Sequence, residues 1–172
     1  MNPAAIIHRL EHFPQTLCPM LLALPAEDYR WKPAPEHWSI LEICCHLLDE
    51  EREDFRARLA STLEDPTRAW PALDLKGIAE RRSYNARDLA DVLADYKGER
   101  LRSVGWLREL RSPDYSKAYV HPKFGSISAG QLLGSWAAHD ALHLRQIAKR
   151  LHGLATRDAS PHGVGYAGEW TA

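Results

Sequence analysis

Ser128–Leu151, SAGQLLGSWAAHDALHLRQIAKRL, decides how the chain is read. Ser128 is a helix N-cap residue, and Gln131 three positions on completes a capping-box pattern. Gly153 stands just past the last apolar residue, where a helix stop is expected. At about 100° per residue, Leu132, Leu133, Trp136, Leu144, Ile147 and Leu151 fall on one broad arc, with His139 and His143 at its edge. The two histidines are four positions apart, just over one turn, so both imidazoles project from the same face. Turned toward an apolar interior they need partners, because an unpartnered buried polar group is costly. A metal ion is one such partner.

Three further helices surround this one. Asn2-Pro3 reads as an N-cap and first-turn proline, and Ile6, Leu10, Phe13, Leu17, Leu21 and Leu24 continue at helical spacing. Pro14 and Pro19 predict a kinked helix or two collinear pieces. His8 and His12 repeat the four-residue spacing, but opposite the apolar residues, which predicts solvated side chains. Pro33 and Pro35 make a rigid connector whose flanking Trp31 and Trp38 are expected to fold onto the bundle end. Ser39, with Glu42 at the capping-box position, opens a second helix expected to reach about Leu63, where Asp65-Pro66 stops it. Its core stripe is Ile40, Leu41, Cys44, Leu48, Phe55 and Leu59. His46 falls off that stripe toward Glu42, Glu50 and Glu53, so periodicity alone puts it in a groove or on the surface. Ser83 or Asn85 is expected to cap a third helix to about Leu110. Residues 64–82 and 111–127 read as long connections.

Four amphipathic helices imply an all-α fold, a four-helix bundle over residues 1–153. Residues 154–172 are expected to form an irregular tail, which Tyr166 and Trp170 pin to the same domain. The short first connection makes helices one and two antiparallel, and the long second one permits helices two and three to be parallel. The order up-down-down-up follows, with helices two and four antiparallel. His46 then lies ~10 Å from the start of its helix and His143 ~12 Å from the end of its own, at nearly the same height. Three imidazoles suit Zn, Ni, Fe or Cu better than Mg or Ca. Three protein ligands leave a position open for water or substrate.

The bulk properties narrow the class. In 172 residues, 45% are hydrophobic and 26% charged, as in a soluble globular domain. The net charge of −1, with basic residues beside acids, argues against nucleic acid and anionic membranes as partners. No apolar run approaches the ~20 residues of a membrane span, and the N-terminal stretch does not read as a signal peptide. Three cysteines, Cys18, Cys44 and Cys45, do not suggest a disulfide framework, and a reducing cytoplasm is the expected location.

The stretch Trp38–Leu47, WSILEICCHL, resembles the second-helix signature of the DinB/YfiT-like metalloenzyme family. His121–Gly125, HPKFG, followed by His139–Ile147, HDALHLRQI, resembles its last-helix signature. The resemblance implies an up-down-down-up bundle, a homodimer, and a divalent metal (Zn, Ni or Fe) held by His46, His139 and His143. It also implies either metal-dependent hydrolysis or transfer of a low-molecular-weight thiol, in both cases on an unknown small molecule. Glu50, one turn beyond His46, is the first candidate general base, and Glu42, one turn before it, the second. Asp140 is a candidate to orient a histidine, and Cys45 a redox or covalent candidate outweighed by a packing role. The rival reading is a non-catalytic, stress-associated dimer whose metal site is structural or vestigial.

Overall fold

In the computed structural model, which describes residues 1–73 and 76–170, the first helix, α1 (Pro3–Leu22), begins at the Asn2-Pro3 pair. The Asn2 side chain accepts the Ala5 N–H at 3.1 Å. The helix runs through Pro14 and Pro19 as one piece, not two. Pro14 has no N–H for the carbonyl of Leu10, and a guanidinium takes its place: Arg100 Nη1 donates to Leu10 O at 3.0 Å. Asp74 and Leu75 of the long second connection, and the last two residues of the expected tail, lie outside the described residues.

A single turn, α2 (Ala26–Tyr29), leads into the proline-rich connector. α3 (Ile40–Glu53) carries the expected capping box: Ser39 Oγ accepts Glu42 N–H at 3.1 Å, and Glu42 Oε2 accepts Ser39 N–H at 2.8 Å. The expected single helix to Leu63 is interrupted at Asp54 (φ −113°, ψ −89°) and resumes as α4 (Phe55–Glu64). Apolar spacing does not register a distortion confined to one polar residue. α3 is buried from Ile40 through Glu51 because the later helices over residues 89–109 and 129–158 and the turn at residues 84–86 surround it. That leaves His46 5% exposed, a core position where the helical wheel suggested a groove or surface.

After the short α5 (Ile78–Arg81) comes α6 (Leu89–Glu109), capped by Asp88, which accepts Asp91 N–H at 3.1 Å. Ser83 and Asn85, the expected caps, precede it in a 3-10 turn. Asn85 instead accepts from Ser39 Oγ at 2.7 Å and donates to Arg30 O at 3.1 Å, tying the first connector to the start of α3. Residues 111–127 are more than a connection: β1 (Ala118–His121) and β2 (Gly125–Ser128) form an antiparallel hairpin with Ala118 opposite Ser128 and His121 opposite Gly125.

α7 (Ala129–Asp158) opens on the Ser128/Gln131 capping box. It does not stop at Gly153 but runs on to Asp158, so the boundary expected at residue 153 falls inside a helix. Gly153 is small for another reason: a Cβ there would stand 3.0 Å from the Trp31 ring, which packs directly on the helix backbone. Beyond Asp158 the chain turns back. Trp170 packs against the His152 ring at 5.3 Å, while Tyr166, the other expected pin, is fully exposed.

The four long elements make an up-down-down-up four-helix bundle, with the hairpin as the only sheet among the described residues. α3 packs on α6, α1 on α6 and α7, and both α3 and α4 on α7. Two apolar clusters fill it, one around Leu41, Leu48 and Ile147, the other around Leu10, Leu133 and Trp136. Among the described residues no helix is long and apolar enough to cross a membrane.

Candidate metal centre

Because α3 and α7 are antiparallel, His46 meets His139 and His143. Its ring centroid lies 5.4 Å from that of His139 and 4.8 Å from that of His143. The Nε2 atoms of His139 and His143 are 3.0 Å apart, and one nitrogen from each of the three rings lies within 4.8 Å of the others. An ion ligated at about 2.0–2.1 Å from each nitrogen fits this spacing with small side-chain shifts. Trp38 lies against His46 at 5.0 Å and Phe55 against His139 at 5.1 Å, so aromatic rings exclude water from two sides.

Burial sets the charge state. Desolvation, followed by the His143 imidazole, pushes the pKa of His46 down to about 3. The same causes, in the same order, push His139 down to about 3, and burial also lowers His143. All three rings are therefore neutral at pH 7, with lone pairs available for ligation. His143 Nδ1–H donates to Gln146 Oε1 at 2.8 Å, which leaves Nε2 unprotonated and facing His139 Nε2 at 3.0 Å. Nδ1 of His46 is buried with no hydrogen-bond partner, and an orphaned polar atom of this kind calls for an explanation. Three converging neutral imidazoles with an unsatisfied nitrogen fit a divalent transition metal.

One acid stands beside the centre. Glu50 Oε1 is 3.8 Å from His46 Nδ1. Burial, with the Asp54 carboxyl hydrogen-bonded to it, pushes the Glu50 pKa up to about 8. Asp54 is itself raised by burial, and Arg58 Nε contacts it at 2.9 Å. Glu42 is engaged elsewhere, one oxygen in the capping box and the other on Lys32 Nζ at 3.1 Å.

Asp140 turns away from the histidines to Arg100, whose Nη1 and Nη2 donate to it at 2.6 and 2.9 Å. Burial raises both Cys44 and Cys45, the latter to about 12, so neither is a thiolate at neutral pH. His8 and His12 are exposed, as expected. They form a second close group with Glu11, but His12 Nδ1 contacts His8 O at 2.8 Å and Glu11 is held by Arg108 at 2.7 and 2.9 Å.

The family model of the DinB superfamily matches residues 9–147, a span that includes all three central histidines. The chain belongs to the DinB superfamily. A curated relative from Oceanobacillus iheyensis, provisionally named a metal-dependent hydrolase, is 29% identical over 142 residues, covering 82% of this chain and 81% of its own. Among solved structures, YfiT from Bacillus subtilis, described as "a probable metal-dependent hydrolase with an unusual four-helix bundle topology", superposes with a TM-score of 0.79. That match covers 89% of this chain and 87% of YfiT at 20% identity. Two parts of this DinB site are not flagged by the sequence reading, Gln146 and the Asp54–Arg58 pair, and the Trp38 and Phe55 rings are read there as packing residues. Gln146 was findable, since it stands three residues after His143 on the same helix. The others depend on the break at Asp54 and on the fold of the connector.

Proposed function

We propose that the chain is a metal-dependent enzyme in which His46, His139 and His143 hold a divalent transition metal, and that it activates water or a low-molecular-weight thiol for attack on a small-molecule substrate. The observation that carries this reading is the convergence of three neutral imidazoles, one with an orphaned nitrogen, beside a carboxyl pushed up to about 8. A bound ion of this class supplies Lewis acidity that lowers the pKa of a water or thiol. In its ionised form Glu50 accepts at Oε1 the proton released by that nucleophile and, once protonated, gives it to the leaving group. Asp54 and Arg58 hold the Glu50 carboxyl in place, and Gln146 fixes the His143 tautomer. Trp38 and Phe55 keep bulk water from the imidazoles. Hydrolysis is the branch that the relatives' names support.

Elemental analysis of wild type and His139→Ala, purified without chelator or a histidine tag, tests the site. About one Zn, Ni or Fe per chain, lost in the variant, supports it. No metal after reconstitution with each ion sinks it and leaves the rival reading, a non-catalytic binding protein. Within a protein that does load metal, Glu50→Gln should lower ester hydrolysis or thiol transfer by about 10²-fold or more with metal content unchanged. The homodimer belongs to the same proposal; sedimentation at micromolar concentration should show twice the 19.5 kDa chain mass.

A further inference from the structure

One face of α7 beside His143 carries a cavity of 370 Å³ lined by Leu142, His143, Arg145, Gln146, Lys149 and Trp170. A second cavity of 240 Å³ shares Lys149 and Trp170 with it and continues to Trp31, His37 and His152. Two shared walls make these one groove, running from His143 to Gly153, ~15 Å along the helix. Trp170 reaches it because the chain turns back beyond Asp158 and lays that ring against His152.

The groove's charge is one-sided. Among the described residues, neither cavity has an acidic side chain in its lining. Arg145 and Lys149 are exposed and make no ion pair or side-chain hydrogen bond among the described residues. Arg52, Arg56, Arg58, Arg82, Arg100 and Arg102 each contact a carboxylate, whereas Arg145 and Lys149, like Arg9 and Lys97 elsewhere on the surface, have no ion pair among the described residues. Arg145 and Lys149 are also one turn apart, where like charges repel and an acid would stabilise the helix. In a chain of net charge −1, two unpaired cations beside indole rings and a partly buried reactive centre form a local positive field that concentrates anions.

We infer that this groove binds an anionic, elongated substrate, whose carboxylate or phosphate sits on Arg145 and Lys149 and whose apolar part lies against Trp170, with its reacting end at the histidines. A guanidinium and an ammonium suit either oxyanion. The inference rests on the histidine centre being the place of reaction.

The test is calorimetric titration of the protein, as purified, with succinate, glycerol phosphate and neutral succinamide at low ionic strength. Both dianions, or one of them, should bind saturably, and succinamide at least about tenfold more weakly. Whichever dianion binds tighter assigns the headgroup. The double variant Arg145→Glu/Lys149→Glu, and its neutral counterpart Arg145→Gln/Lys149→Gln, should each weaken dianion binding about tenfold or more. His139→Ala should retain most of it, because the groove's cations do not depend on the metal. Dianion binding lost in His139→Ala but unmoved by either double variant would mean that the anion meets only the metal, and would overturn the inference. So would equal binding of succinamide, or no saturable binding in wild type. Charge-sensitive binding in a protein that loads no metal would uphold the groove and sink the metal-centre reading instead.

Discussion

His139 and Asp140 are neighbours on α7, yet they belong to two buried polar clusters built on opposite terms. On the Asp140 side every donor is matched. Arg100, 1% exposed, places all five N–H groups: Nε on Glu51, Nη1 on Asp140 and Leu10 O, and Nη2 on Tyr96 Oη and Asp140. Trp136 Nε1 adds a donor to Glu51 at 3.0 Å. On the His139 side, three imidazoles crowd together uncharged, and His46 Nδ1 has no hydrogen-bond partner. The comparison separates two uses of a buried polar group. Matching every donor holds helices in register, even with Glu51 Oε1 left without a hydrogen-bond partner, whereas imidazole nitrogens left facing one another are suited to a ligand.

The sharpest way to break that contrast is Arg100→Met. It strands Glu51 and Asp140, so the unfolding free energy in a denaturant titration should fall by about 3–5 kcal/mol, with metal content unchanged. A loss under about 1 kcal/mol would mean that the cluster is no architectural device. His46→Asn should do the reverse. Metal affinity, read by competition with a chromophoric chelator, should fall at least about 100-fold, more than is typical for an outer partner. Metal-free stability should fall less than in the Arg100 variant. Gln146→Ala should weaken metal binding by about tenfold, through the freed His143 tautomer.

The pH dependence of the metal-free protein sharpens the picture further. His46 and His139 have folded pKa values of about 3 against 6.5 unperturbed, so the stability linked to their neutral state is present above pH 6.5 and lost as pH falls toward 3. Glu50 runs the other way. Its pKa rises from 4.5 to about 8, so its contribution is present below pH 4.5 and lost as pH rises through 8. Each group changes stability by at most about 1.4 kcal/mol per pH unit. Denaturation midpoints measured from pH 3 to 9 should show a shallower alkaline decline in Glu50→Gln and a shallower acid decline in His139→Ala than in wild type. The smallest effect belongs to Glu42→Ala, which removes half a capping box and should cost about 1 kcal/mol while leaving metal content alone.

How much of this could be read beforehand follows from what periodicity measures. The four-residue spacing of His139 and His143 on an amphipathic helix is local, and so was visible. His46 was misplaced because the wheel assumes a solvent face, and the first three turns of α3 have none. The antiparallel order of the second and last helices put it at the height of the other two, and the resemblance of Trp38–Leu47 to a family signature made it a ligand candidate. Gly153 was read as a stop because nothing local reveals that Trp31, distant in sequence, packs on that backbone. The turn of the hairpin at 118–128 was marked by His121-Pro122 and Phe124-Gly125, but strands of four residues are too short for alternation to show, and the break at Asp54 has no local signal. Asp140 was only a candidate to orient a histidine, since neighbours on a helix point about 100° apart, and its side chain faces Arg100.

The proline in α1 has a consequence for assembly. Pro14 deletes one rung of its own helix, and the carbonyl left behind is answered from α6 by Arg100. An intact helix could slide along its neighbour and keep every backbone bond. This one is keyed, because any other alignment of α1 and α6 leaves the Leu10 carbonyl and a guanidinium unmatched in the interior. The gap in the ladder acts as an address, so that the residue usually expected to spoil a helix here tells the bundle when its first and third members have met in the right place.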